Sequence, residues 1–255
     1  MKKSVQYFTI NAVERLDAEH ILIEAVSPVP LQGILPGQFV NIDVEKSKTT
    51  FLRRPISIHD VDEAKNSMKI FVKAVGDGTR AIYEMQKGEK LNTMFPLGNS
   101  FSYSNSQKPL LVGGGFGLAP LYYLAKKIAQ NGIRPTVIVG ARNSKNIFLT
   151  EKFQDIADVH VATNDGSLGE KGMVTEHSLF TNLENFDKIF VCGPEPMMKA
   201  VGKIAVSKNV ECEVSLENTM ACGIGSCLCC VADTKDGHVC VCTEGPVFNI
   251  KDLKW

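Results

Sequence analysis

Leu110–Ala129 reads LLVGGGFGLAPLYYLAKKIA. An apolar run stops at Gly113, Gly114, Gly115 and Gly117, and a helical pattern of leucines and alanines begins at once. A strand that turns through glycines into a helix is the opening of a βαβ unit. Such a turn brings backbone N–H groups close to a pyrophosphate, and the helix dipole favours the anion. The spacing is G-x-G-x-G-x-x-P and not the dinucleotide fingerprint, because Leu118 stands where a third glycine is required. The plain alternative is a tight strand–helix turn with no ligand.

Downstream, the rhythm of alternating strands and helices continues. Strands are expected at Pro109–Gly113, Thr136–Gly140, Val159–Ala162, Lys188–Cys192 and Cys212–Leu216. Helices are expected at Ala119–Gln130, Leu149–Ile156, Gly172–Leu179 (weakly) and Pro196–Ser207. This order implies a parallel sheet. CGPEPMMKAV (192–201) repeats the strand-to-helix theme, with Cys192, Gly193 and Pro194 at the strand's C-terminal end, where open α/β sheets bind ligands. A small buried residue without chemistry is the alternative for Cys192.

Upstream, residues 1–104 read as β. Short strands at Gln6–Val13, Ile21–Ala25, Gln38–Val44, Arg54–His59, Met68–Val75 and Lys90–Met94 alternate with Gly and Pro turn signals, which suggests a small closed antiparallel barrel. FLRRPISIHD (51–60) sets Arg53 and Arg54 inside an apolar run, where an arginine must be paired or must hold an anion. AVGDGTRAIYEM (74–85) places Gly76, Gly78 and Thr79 ahead of a short helical run, with Thr79 as the expected N-cap. An ion pair and an ordinary capped turn are the plain alternatives.

Residues 217–255 are different. NTMACGIGSCLCCVADTKDGHVCVCTEGPVF (218–248) holds six of the chain's eight cysteines. Cys222-x4-Cys227-x2-Cys230, followed at a distance by Cys242, matches the plant-type 2Fe–2S spacing. Each iron takes two thiolates, and glycines such as Gly223 and Gly225 let the loop present N–H donors to the sulfides. Zinc held by Cys227, Cys230, Cys240 and Cys242 is a rival, though it would leave Cys222 idle. Four ligands complete a cluster, so Cys229 and Cys240 read as bystanders.

Composition excludes several classes. The 255 residues carry 28 basic and 28 acidic side chains, so neither nucleic acid nor an acidic partner is indicated. MKKSVQYFTINAVE lacks the apolar stretch of a secretory signal, and no apolar run nears the ~20 residues that cross a bilayer. A cytoplasmic location with reduced thiols is expected, and clustered cysteines there point to metal.

Together these motifs resemble the ferredoxin–NADP reductase superfamily, whose barrel binds FAD and whose α/β domain binds NAD(P). LRRPISI (52–58), MACGIG (220–225) and CTEGPVF (242–248) are similar to the electron-transfer subunits of NAD-dependent, B-type dihydroorotate dehydrogenases. The resemblance covers essentially the whole chain. It implies an FAD-binding barrel over 1–104, an NAD-binding α/β domain over 105–216 and a 2Fe–2S segment over 217–255. It assigns FAD to Arg54, Pro55, Ile56, Ser57, Phe71, Val72 and Lys73, and its pyrophosphate to Gly78 and Thr79. It assigns the nicotinamide nucleotide to Gly113–Gly117 and Cys192–Pro194. The cluster ligands become Cys222, Cys227, Cys230 and Cys242, the last chosen over Cys240 because the family's ligand lies three before the glycine. Cys229 departs from the family, where alanine is usual.

The resemblance also implies a partner: an FMN-containing dihydroorotate dehydrogenase subunit, two of each chain forming a heterotetramer. This chain shows no residues for a pyrimidine site. The small subunits of NADH-dependent ferredoxin–NADP oxidoreductases and of sulfhydrogenases are similar as well. The former carry aspartate at the first cluster position, where this chain has Cys222. A zinc-bearing nucleotide-binding module without redox chemistry is the alternative from another class. Arg142 and Lys145, after the second α/β strand, leave NADP open beside NAD.

Overall fold

In the computed structural model, which describes residues 2–255, the chain divides into two compact units. The first runs to Ser100 and also takes in Asn218–Ala232 and Val239–Pro246. The second comprises Phe101–Glu217, Asp233–His238 and Val247–Trp255.

The first unit is a closed six-stranded antiparallel barrel in the order β1-β2-β5-β4-β3-β6. Its strands are β1 (Ser4–Arg15), β2 (His20–Val26), β3 (Phe39–Ile42), β4 (Arg54–Asp62), β5 (Ser67–Lys73) and β6 (Lys90–Leu97). Closure leaves no edge to pair with another chain. Phe8, Ile10, Ile21, Ile23, Val40, Ile42, Ile58 and Phe95 fill the barrel and are all but inaccessible. Each such side chain contributes about 1.5–3 kcal/mol by leaving water. Phe8 and Phe95 meet edge to face at 4.8 Å. A short helix, α1 (Asp77–Tyr83), follows β5.

Thr79 is not the cap of that helix. Gly76 occupies the N-cap, and Thr79 sits at the third helical position. Its Oγ1 reaches back to accept from the N–H groups of Val75 and Gly76 at 2.9 and 3.0 Å. The threonine satisfies backbone donors of the turn from inside the helix, a role that its sequence position did not reveal.

The second unit carries β7 (Pro109–Gly114), β8 (Thr136–Ala141), β9 (Asp158–Thr163), β10 (Glu170–Lys171), β11 (Lys188–Cys192) and β12 (Glu211–Ser215), all parallel, in the order β10-β9-β8-β7-β11-β12. β7 and β11 are buried along their full length, as strands covered on both faces must be. Helices α2 (Leu118–Gln130), α3 (Thr150–Phe153) and α4 (Glu195–Ser207) connect the strands. On α2 the residues Leu118, Leu121, Ala125 and Ile128 keep helical spacing and pack on Leu111, Val137, Val139 and Phe190. The weak helix expected at Gly172–Leu179 is instead 3₁₀ turns, at Val174–Glu176 and Ser178–Asn185.

The C-terminal segment is more ordered than a loop with a tail. It forms a hairpin of β13 (Val231–Thr234) and β14 (Gly237–Cys240). It then returns as β15 (Val247–Asn249), which adds antiparallel to β12 through Val214↔Phe248. A three-residue strand beside a cysteine cluster carries too little periodicity to be read from sequence.

One buried charge holds this sheet's floor. Lys188 Nζ lies 2.8 Å from Glu211, 2.9 Å from Glu213 and 2.7 Å from Ser102 Oγ. Burial alone would lower its pKa, but the hydrogen bonds to Glu211 and Glu213 outweigh it and raise the value. Glu213→Ala should therefore cost about 3–5 kcal/mol, because it strips a buried ammonium of its buried partner. Urea unfolding measures this; a loss below ~1 kcal/mol would mean that Glu211 and solvent suffice.

Candidate electron-transfer site

In the first unit, the cysteine loop is laid on the barrel. Asn99, just past β6, donates from its backbone N–H to Gly245 O at 2.6 Å and from its side chain to Glu244 O at 2.7 Å. Gly223, with φ +73°, presses its backbone on β3: a Cβ there would lie 2.9 Å from Asn41 Nδ2 and 3.3 Å from Leu97. Only glycine fits this turn and this approach. Asn41 pairs with Pro55 across β3 and β4, so the cysteine loop rests on the strand that neighbours RPIS.

The loop brings the cysteines into pairs. Cys222 comes within reach of Cys227, and Cys230 within reach of Cys242. Backbone N–H groups point at the sulfurs: Ile224 N to Cys222 at 3.4 Å, Gly225 N to Cys242 at 3.1 Å and Cys242 N to Cys230 at 3.4 Å. Cys230 and Cys242 are buried, Cys222 is half-buried, and Cys227 is exposed. The hydrogen bond from the Ile224 backbone, reinforced by Cys227 and Ser226 against the effect of burial, lowers the Cys222 pKa to about 6. Burial, then the hydrogen bond with Cys230, pushes Cys242 up. Among the described residues no three Cys, His, Asp or Glu side chains converge on one ion's position. Two thiol pairs surrounded by N–H donors suit a two-iron cluster. Cys229 is exposed, whereas Cys240 comes within hydrogen-bonding reach of Cys230.

On the barrel itself, the two arginines separate. Arg53 is internally paired, to Asp43 at 3.1 Å, to Asn92 Oδ1 at 2.9 Å and to the carbonyl of Asn41. Among the described residues the guanidinium of Arg54 donates to the carbonyls of Leu52 and Arg53. No carboxylate pairs with it among the described residues, which leaves its charge for an anion. A Cβ at Gly78 would lie 3.1 Å from the Arg54 side chain, so these two candidates are brought together. Pro55, Ile56 and Ser57 are half-buried on β4. On β5, Phe71 and Val72 are buried within the barrel, Phe71 beside the rings of His20 and His59, and Lys73 pairs with Glu19 at 3.7 Å.

In the second unit, the two glycine-bearing loops meet at the C-terminal ends of β7 and β11, where Gly113 pairs with Cys192. The strand order reverses here, because β8 lies on one side of β7 and β11 on the other. Gly117 approaches so closely that a Cβ would fall 1.9 Å from the carbonyl oxygen of Cys192. A Cβ on Gly193 would lie 3.0 Å from Gly114. The α2 N-terminus opens at this point. Burial, then the charge of Glu217, pushes the Cys192 thiol far up, so it is a packed thiol and not a nucleophile. Arg142 and Lys145 are exposed.

Residues 217–254 match the family described as the iron–sulfur cluster binding domain of dihydroorotate dehydrogenase B, and residues 111–203 match the oxidoreductase NAD-binding domain. The chain is 41% identical over 227 residues to the dihydroorotate dehydrogenase B (NAD(+)) electron transfer subunit of Fusobacterium nucleatum subsp. nucleatum, covering 86% of each. It belongs to that family of electron transfer subunits. The Bacillus pumilus subunit of the same description is 40% identical over 223 residues, covering 85% of each. The structure of an NADH-dependent reduced ferredoxin–NADP oxidoreductase, described for flavin-based electron bifurcation, superposes with a TM-score of 0.86 at 29% identity, over 97% of this chain and 90% of that one. The ferredoxin reductase of carbazole 1,9a-dioxygenase shares the fold, with a TM-score of 0.72 at 21% identity over 82% of this chain and 67% of that one. Among the described residues no helix is long and apolar enough to cross a membrane.

Membership in the dihydroorotate dehydrogenase B family selects iron–sulfur over zinc for the cysteine loop. Cys222→Ser, Cys227→Ser, Cys230→Ser and Cys242→Ser should each lose iron and visible absorption, while Cys229→Ser and Cys240→Ser keep both. Iron retained in Cys242→Ser but lost in Cys240→Ser would reverse the choice of fourth ligand. Arg54→Ala should weaken FAD binding about 10- to 150-fold, the worth of a charge-assisted hydrogen bond of ~1.5–3 kcal/mol. Dissociation of flavin on dilution measures it, and an unchanged constant would remove Arg54 from the site. Gly117→Ala should raise the KM for NADH with iron and flavin content unaltered, because its methyl group forces the two nucleotide loops apart.

Proposed function

We propose that this chain is the electron transfer subunit of a B-type dihydroorotate dehydrogenase in the synthesis of UMP. Electrons taken from dihydroorotate at the FMN of a catalytic partner reach NAD+ by way of a 2Fe–2S cluster and FAD on this chain. Bound FAD supplies the conversion between single electrons and hydride, which no side chain can perform. Cys222, Cys227, Cys230 and Cys242 hold the iron, and Gly223 and Gly225 let the loop close on it. Arg54, Gly78 and Thr79 hold the flavin's pyrophosphate. Pro55, Ile56 and Ser57, with the β5 run Phe71, Val72 and Lys73, form its seat. Gly113–Gly117 and Cys192–Pro194 cradle the dinucleotide at the reversal point of the sheet.

The observation that carries this reading is the seat of the cysteine loop. Gly223 lies against Asn41 on β3, and β3 is hydrogen-bonded to the strand that bears RPIS. Cluster and flavin candidates thus share one compact unit, as a relay requires. We assign FAD to residues 1–104, NAD to 105–216 and the cluster to 217–255. The working enzyme is a cytoplasmic heterotetramer of two electron transfer and two FMN subunits, with the cysteine loop at the contact between unlike chains.

The purified chain should reduce artificial acceptors with NADH yet fail to oxidise dihydroorotate until an FMN-bearing catalytic subunit is added. Variants of the cluster ligands should abolish the coupled activity and spare most of the NADH-to-acceptor activity. Turnover of dihydroorotate by the isolated chain would contradict the division of labour. Coupled activity in a chain without iron would contradict the relay.

A further inference from the structure

Asn41 stands apart from the other polar groups of the barrel. It lies on β3 in the run Phe39-Val40-Asn41-Ile42, is fully buried, and neither its Nδ2 nor its Oδ1 has a hydrogen-bond partner. An orphaned buried amide is costly, and valine or leucine would pack there with no polar group left to satisfy. Its backbone carbonyl accepts from Arg53 at 3.2 Å, and the two unpartnered atoms both belong to the side chain. The carboxamide also has a direction. Its Nδ2 faces the backbone of Gly223, the residue after Cys222, at a contact only a glycine permits. Leu97, at 3.3 Å from the same point, is apolar and offers no acceptor. The amide thus faces the barrel side of the cysteine loop at the residue next to Cys222, and a cluster held by that loop would bring sulfur acceptors to this side.

We propose that the Asn41 carboxamide is a positioning residue for the 2Fe–2S cluster, donating from Nδ2 to its sulfur side beside Cys222 and raising its reduction potential. This rests on the cysteine loop holding that cluster, as argued above. A donor to sulfur stabilises the reduced, more negative state more than the oxidised one, which raises the potential. Asn41 also pairs with Pro55 in the flavin strand, so the same residue fixes the cluster loop against the neighbouring strand.

The test is made on whole protein carrying iron and flavin. Wild-type protein is labelled with ¹⁵N in its asparagine carboxamides, and the EPR signal of the reduced cluster is examined for a ¹⁵N hyperfine coupling. The coupling should be present in wild type and absent from Asn41→Asp. In redox titrations the cluster's oxidised-to-reduced ratio at a fixed potential should rise about tenfold in Asn41→Leu, the effect of one charge-assisted hydrogen bond. It should rise further in Asn41→Asp, where a carboxylate repels the added electron, with the flavin titration unmoved in both. A normal cluster signal without ¹⁵N coupling in wild type overturns the proposal, whether or not the variants fold. So does a shift of the flavin's potential in place of the cluster's, which would assign the amide to the flavin. Wild-type protein with no 2Fe–2S signal at all would instead defeat the reading of the cysteine loop itself.

Discussion

The contact on which the rest depends is the one between the cysteine loop and the end of the barrel. Electron transfer between two bound groups is useful only if the protein holds them near each other. Here the chain leaves the second unit after Glu217, seats Gly223 against β3 and β6, and ties Glu244 and Gly245 to Asn99. Gly223 makes the approach possible because any side chain would strike Asn41. A loop packed this way is no free appendage: its residues belong to the same compact unit as Arg54 and Gly78.

The nucleotide half solves a different problem with similar means. Backbone N–H groups can serve a pyrophosphate only where no side chain intervenes. The loops after β7 and β11 accordingly pack glycine against main chain, Gly117 on Cys192 and Gly193 on Gly114. Cys192, buried and held protonated, contributes a small shape and no reactivity. The chemistry of this protein is thus carried by groups that it binds. In the reading proposed here its own side chains fix positions, with charge at Arg54 and thiols in the cysteine loop, where the N–H groups around Cys222 lower its pKa.

Much of this was legible in the sequence because the decisive signals are local. The barrel strands are bounded by glycine and proline, and β7, β8, β9, β11 and β12 alternate with helical spacing, so their positions fall within a few residues of those observed, whereas the two-residue β10 was not expected. The spacing of Cys222, Cys227, Cys230 and Cys242 separates a two-iron pattern from a disulfide framework without any coordinates. What stayed hidden is whatever depends on contacts distant in the chain. β15 is three residues long and gains its identity only from β12. Thr79 reads as a cap because threonine before a helical run usually is one, yet the helix starts earlier, at Asp77 with Gly76 as its N-cap. Arg53 and Arg54 are indistinguishable as neighbours in sequence; Asp43 and Asn92 claim one and leave the other. Asn41 is a single polar residue in an apolar strand. That is a signal in itself, though one with no meaning until the cysteine loop is seen lying on it.

The central claim is that flavin and cluster on this one chain exchange electrons. Anaerobic titration of the purified chain with NADH, followed by visible absorption and EPR on the same samples, addresses it most directly. The account predicts that flavin absorbance bleaches and that the EPR signal of a reduced 2Fe–2S cluster grows in, without any partner subunit. Flavin that bleaches fully while the iron stays oxidised and EPR-silent at saturating NADH would contradict it.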